Sequence, residues 1–215
     1  MEIIFVIIIS STMPEIKEDI LNQSLQLFLK FGIRNMSNEK LAKDLAISTK
    51  TLYKYFQNKE ALLEEAVLLF HQQQYEALNA LSEEEPHAIQ FYEIWKRAVD
   101  TEYHVNRSFF QELAYYYPKL AVKTEKEISQ KLEAKLQSLI QQGIDRGQFR
   151  PDINIEVVLE SMYLLYAGLV RSEKFKKFNL NAADAYQNTI ALFIRGICTI
   201  NAIATLDKYL TSQKK

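Results

Sequence analysis

The sequence predicts an all-α protein, an N-terminal three-helix unit with a helix-turn-helix followed by a larger helical bundle. Three observations support this. Apolar residues return at three- and four-residue spacing along most of the chain, and good helix-capping residues stand at the starts of those runs. The 215 residues also include only 5 Gly and 4 Pro, too few breakers for a sheet-and-turn protein. Hydrophobic residues make up 48 % and charged residues 25 %, which supports a sizeable core and excludes a disordered chain.

The formal net charge of -1 means that any nucleic-acid contact must come from a local patch. Cys198 has no second cysteine to pair with, which fits a reduced, cytoplasmic setting. It falls in an apolar helical stretch and reads as inert packing rather than a redox group.

The first twelve residues, MEIIFVIIISST, stand apart. The apolar run Ile3–Ile9 is too short to span a bilayer and lacks the flanks of a secretory signal, so no stable membrane insertion is expected. The preferred reading of residues 1–12 is a non-native or disordered extension, with Met13 the true start; a peripheral membrane anchor is the alternative.

Glu15 to about Phe31 is expected to form the first helix. Ile16, Ile20, Leu21, Leu25, Phe28 and Phe31 share a face, acids lie in the first turn, and Gly32 stops it. Ser37 and Asn38 can cap a short helix to Leu45. Ser48 or Thr49 then caps another to Phe56, and Asn58 a long one from Lys59 to about Ala80. Ser82–Pro86 breaks the pattern. Helices follow at His87–Val105, Ser108–Tyr116, Pro118–Arg146, Asn154–Lys174 and Ala182–Leu206, with Gly147 and Pro151 as punctuation.

The informative window is Ser37–Lys59, SNEKLAKDLAISTKTLYKYFQNK. Leu41, Ala42, Leu45, Ile47, Leu52 and Phe56 can pack two short helices together across a tight turn. Thr49, Lys50, Tyr53 and Lys54 then face outward from the second helix. Such side chains reach base edges and phosphates, and Lys59 can reach a flanking phosphate. From Pro14 to Glu60 eight basic residues stand against six acidic ones, a modest local bias of +2. On pattern alone an ordinary helical hairpin with a solvated lysine face fits equally well.

The stretch LAKDLAISTKTLYKYFQNKEALL resembles the DNA-binding signature of the TetR family of transcription regulators. The match includes the Ser after the turn, Thr51-Leu52-Tyr53, Tyr55-Phe56, and Lys59-Glu60 before Leu62-Leu63. GIDRGQFRPD (Gly143–Asp152) resembles a weaker pattern common before the last two helices of that family. Two positions depart from it: Ala46 stands where the family usually has Gly, and Lys50 where it often has a small residue. If position 46 needs a positive φ, alanine costs on the order of 1 kcal/mol.

The resemblance implies a helix-turn-helix DNA-binding domain over residues 13–63 and a helical regulatory and dimerisation domain over 64–215. Asn38, Thr49, Tyr53, Tyr55 and Lys59 would touch mainly phosphates. Lys50, Thr51 and Lys54 would read bases, although the spacing of Tyr55 from Leu52 also permits partial burial. The expected partners are a double-stranded, near-palindromic operator and a second copy of the chain, met through Asn154–Lys174 and Ala182–Leu206. The expected outcome is ligand-responsive repression.

The second region is rich in aromatic residues, which serve a core and can also line a cavity for a small, mostly apolar effector. Phe91, Trp95, Tyr103, Phe110, Tyr163 and Tyr166 are the pocket candidates. VVLESMYLLYAGLV (Val157–Val170) is apolar on nearly all sides, so a helix there needs covering twice, by its own domain and by a partner or a monomer's own core.

Catalysis is disfavoured. His71, His87 and His104 have no metal-ligand spacing, no phosphate loop or nucleophile elbow is present, and pairs such as Glu64-Glu65 fall on exposed faces. No metal or cofactor is expected. A helical interaction or membrane-associated adaptor without DNA binding is the competing class.

Overall fold

The computed structural model describes residues 2–79 and 84–213, with side chains described for 15–77, 84–124, 126, 130–175 and 177–213. Its α-helices are α1 (Glu2–Phe31), α2 (Asn38–Asp44), α3 (Thr49–Tyr55), α4 (Lys59–Asn79), α5 (His87–Glu102), α6 (Arg107–Tyr116), α7 (Pro118–Asp145), α8 (Ile155–Val170), α9 (Ala182–Gln187), α10 (Ile190–Ile197) and α11 (Ile200–Ser212). A 3₁₀ segment, Glu173–Phe178, follows α8. The end of the fourth expected helix and the start of its break, Ala80–Glu83, lie outside the described residues.

The chain divides into two compact units. The first joins residues up to Gln73 with Ser108–Glu125; the second joins Gln74–Arg107 with Lys126 onward. This differs from a single boundary near residue 63, because α6 and the start of α7 group with the N-terminal helices.

In the first unit, α1 begins at Glu2 and not at Glu15, so the N-terminal apolar run continues the helix. Pro14 within it supplies no N–H to the ladder. The helix ends as the sequence requires, with Gly32 at φ 81, a left-handed conformation that glycine adopts without strain. Ile20, Leu25 and Phe28 are buried, but Ile16, placed by periodicity on the same face, is 44 % exposed. Leu62, Leu63, Ala66, Val67 and Phe70 of α4 and Phe109 of α6 are also buried in this unit. The Phe70 and Phe109 rings meet edge to face at 6.4 Å.

Glu64 and Glu65 of α4 are not free carboxylates on a solvated face. Glu65 pairs with Lys17 at 2.7 Å, and Glu64 pairs with Lys123. Both are half-buried, which corrects the expectation of an exposed acidic pair.

The second unit buries Phe91, Tyr92, Trp95, Ile140, Phe149, Met162, Leu169, Tyr186, Ile194 and Leu206 in one apolar cluster. Asn154 caps α8, its Oδ1 accepting from the Val157 amide at 3.0 Å. The helix stops at Val170, short of the expected Lys174, where Ser172 Oγ donates to the Gly168 carbonyl at 2.6 Å and the 3₁₀ segment begins.

The expected continuous helix Ala182–Leu206 is three helices. One break falls at Asn188-Thr189, where Thr189 leaves helical φ/ψ. The other falls at Cys198-Thr199. There Cys198 is extended and bridges antiparallel to Phe149, the Thr199 amide donates to Gln148 at 3.0 Å, and Thr199 caps α11. Backbone bonds to a segment distant in sequence thus replace helical ones at a point where periodicity gives no warning. Cys198 is buried, as expected, but at a helix end; burial pushes its thiol up to about 12.

Gly147 ends the α7 turn with φ 67. Gly143 serves a different need: a Cβ there would stand 2.3 Å from the Phe149 ring. The Gly143 carbonyl also accepts from the amides of Gln148 and Phe149, closing the loop tightly.

Candidate DNA-reading surface and sensor cluster

The reading pair is built from caps inward. Ser37 Oγ accepts from the Lys40 amide at 3.2 Å and opens α2. Ser48 Oγ accepts from the Thr51 amide at 3.0 Å and opens α3; of the two cap candidates, it is Ser48 that caps. Asn58 Oδ1 accepts from the Ala61 amide at 2.8 Å at the start of α4. Each such cap satisfies a backbone N–H that the helix itself leaves open.

Between α2 and α3, Ala46 stands at φ 53. The positive φ that makes glycine usual at this turn is therefore required here, and alanine carries the strain.

Leu41, Ala42, Leu52 and Phe56 are buried behind the two helices, while Leu45 and Ile47 are half-buried. Burying Leu52 and Phe56 stabilises α3 by about 1.5–3 kcal/mol each. On the opposite side Thr49, Lys50, Tyr53 and Lys54 are exposed, with Tyr53 at 46 %. Thr51 and Tyr55 are half-buried. Thr51 Oγ1 lies 2.8 Å from Ser48 Oγ, and Lys54 sits over the Tyr55 ring at 5.6 Å.

Two bonds could not be read from the sequence. Asn38 Nδ2 donates to the Tyr53 hydroxyl, tying α2 to α3, while the Asn38 Oδ1 is buried without a partner among the described residues. Lys59 is half-buried and its Nζ donates to the Ile33 carbonyl at 2.6 Å. Burial lowers its pKa, and the Glu112 carboxylate opposes that shift. Lys59 is thus a brace inside the unit as well as a cation near the reading face.

The pocket candidates separate. Trp95 meets Phe91, Tyr163 and Tyr166 edge to face, with ring centroids 5.4–6.2 Å apart. Its indole N–H is buried and has no hydrogen-bond partner among the described residues. Burial raises the Tyr163 phenol to about 12, and raises Tyr166 well above its ordinary value. Tyr103 lies at the edge of the same core, its hydroxyl donating to the Leu180 carbonyl at 2.6 Å. Phe110 belongs to the first unit, where it packs on Phe109 and Phe70, so it does not join this cluster. Its place on α6, which groups with the N-terminal helices, is the reason.

No group of His, Cys, Asp and Glu among the described residues could hold a metal ion. No helix among them is long and apolar enough to cross a membrane.

The family model described as "Bacterial regulatory proteins, tetR family" matches residues 20–66, the segment that contains α2 and α3. No curated protein sequence matches the chain. Among solved structures, a TetR-family protein from Vibrio parahaemolyticus is 24 % identical, with a TM-score of 0.62 over 85 % of this chain and 98 % of that one. Reduced NemR from E. coli is 16 % identical, with a TM-score of 0.69 over 85 % and 97 %. A transcriptional regulator from Saccharomonospora viridis, solved in complex with choline, is 18 % identical, with a TM-score of 0.63 over 86 % and 99 %. These likenesses establish the fold, and the family model accounts for the reading segment. Residues 20–66 thus match the model of the tetR family of bacterial regulatory proteins, and the chain shares the fold of the solved regulators.

Proposed function

We propose that the chain represses transcription as a homodimer on a near-palindromic operator and is released by a small, mostly apolar effector. One observation carries the reading: α3 turns Thr49, Lys50, Tyr53 and Lys54 to solvent while Leu52 and Phe56 anchor it from behind. A helix so anchored fits the major groove, with its side chains on base edges and phosphates.

Lys50, Thr51 and Lys54 are the base-reading candidates. Thr49, Tyr53, Tyr55, Asn38 and Lys59 are the phosphate candidates. The Asn38–Tyr53 bond holds two of the latter in place before any duplex arrives. Thr51 and Lys59 have internal partners in the free protein, so their contribution to binding is smaller than that of Lys50 or Lys54.

A second copy is supported by the exposed apolar positions Val157 and Leu164 on α8, and Leu192 and Ile200 on α10 and α11. These are the two segments expected to pair across a two-fold axis. The aromatic cluster supports an effector site in the second unit. The unpartnered indole N–H of Trp95 suits an effector that carries an oxygen acceptor. Choline, bound by the Saccharomonospora viridis relative, is a reasonable first probe, since aromatic rings also attract quaternary ammonium groups.

Selection of bound duplexes from randomised DNA would yield the operator. Lys50→Ala, Tyr53→Ala and Lys54→Ala together should weaken its binding on the order of a hundredfold. A triple variant that retains the duplex as the wild type does would remove the proposal.

A further inference from the structure

We propose that Glu112 on α6 is a positioning residue for DNA reading: its carboxylate holds the turn between α1 and α2 from which the reading pair is built. The inference rests on the functional reading above, but on different atoms.

The segment Gly32–Met36 has little regular structure to define it. Its internal backbone bond, Met36 N–H to the Ile33 carbonyl, is long at 3.4 Å. Its own Ile33 and Met36 are buried, and side chains from other elements of the same unit hold its backbone as well. Glu112 Oε2 accepts from the Arg34 amide at 2.9 Å. Arg34 in turn donates from its guanidinium to the Tyr116 hydroxyl at 2.9 Å and lies 4.9 Å from the centre of that ring. Lys59 Nζ donates to the Ile33 carbonyl of the same segment.

The approach of α6 is close enough to involve the backbone. A Cβ on Gly32 would stand 3.1 Å from Glu112 Oε2 and 3.4 Å from Ser108 Cβ. Glycine at position 32 thus serves two ends, the left-handed helix stop and room for the carboxylate.

These bonds are mostly at the surface and add little to global stability. They nevertheless fix the residues that lead directly into the Ser37 cap and Asn38. A reading surface works only when its support holds it to a fraction of an ångström. Glu112 is a poor candidate for touching DNA itself, since its charge repels phosphate. The two roles therefore predict opposite signs for its removal.

The test compares E112A and E112Q with the wild type on the selected operator by fluorescence anisotropy across a salt series. E112A, which loses the acceptor, should bind roughly five- to tenfold more weakly with an unchanged salt slope. E112Q keeps a carbonyl oxygen for the Arg34 amide and should bind within about twofold of the wild type. Amide exchange read by NMR supplies an independent measure: Arg34 should be protected in the wild type and in E112Q.

Tighter binding by E112A, equal loss in E112Q and E112A, or a fast-exchanging Arg34 amide in the wild type would each overturn the proposal. Wild-type protein that retains no duplex at all would instead overturn the functional reading, while the Arg34 exchange rate still reports on the turn.

Discussion

Single residues account for most of what was legible around the reading surface. Ser37, Ser48 and Asn58 cap the expected helices because a cap depends only on local chemistry. The strained turn was legible in the same way: Ala46 stands where the family signature has glycine, and its φ is 53. Replacing it should therefore help the fold. Ala46→Gly is expected to stabilise the protein by about 1 kcal/mol at unchanged operator preference, visible as a higher midpoint in thermal denaturation followed by circular dichroism. What could not be read were partners distant in sequence. Neither the Asn38–Tyr53 bond nor the Lys59–Ile33 bond follows from spacing, because each depends on how separate helices meet. For the same reason Lys59 could be read only as a surface cation.

At the level of elements, helices with strong caps and long apolar stripes were legible, and breaks imposed from elsewhere were not. The 182–206 stretch has helical periodicity throughout, yet the Phe149–Cys198 bridge and the Thr199 cap divide it. Phe110 was grouped by its aromatic character with a bundle it does not join, since composition cannot assign α6 to a unit. Within the second unit, α5 and the residue that caps α8 share one demanding contact. Glu102 is 4 % exposed, and the Arg171 guanidinium pairs with it at 3.2 and 3.4 Å. A buried carboxylate stripped of its cation is costly. Arg171→Met should destabilise the protein by about 3 kcal/mol, and Glu102→Gln in the same chain should recover much of that loss, as read from denaturant midpoints.

On the scale of the whole molecule, the all-α class was evident from periodicity and scarce breakers, and the observed helices bear it out. The exposed apolar residues Leu164 on α8 and Leu192 on α10 are 66 % and 59 % exposed in the single chain. A charge placed there should oppose self-association without disturbing the core. Leu164→Glu with Leu192→Glu is expected to sediment as a monomer at micromolar concentration and to bind the operator at least tenfold more weakly, because one reading helix then acts alone. A wild-type chain that already sediments as a monomer would contradict this. The tight loop at Gly143 has a wider consequence. Its Cα and the Phe149 ring occupy neighbouring space with no room for a methyl group between them, since a Cβ would lie 2.3 Å from Cδ2. Gly143→Ala should therefore destabilise by about 3 kcal/mol or more, and Phe149→Leu should relieve part of that strain and so be less harmful beside alanine than beside glycine. Among sequences that keep this fold, positions 143 and 149 should covary, so that a larger residue at one is tolerated only with a smaller residue at the other.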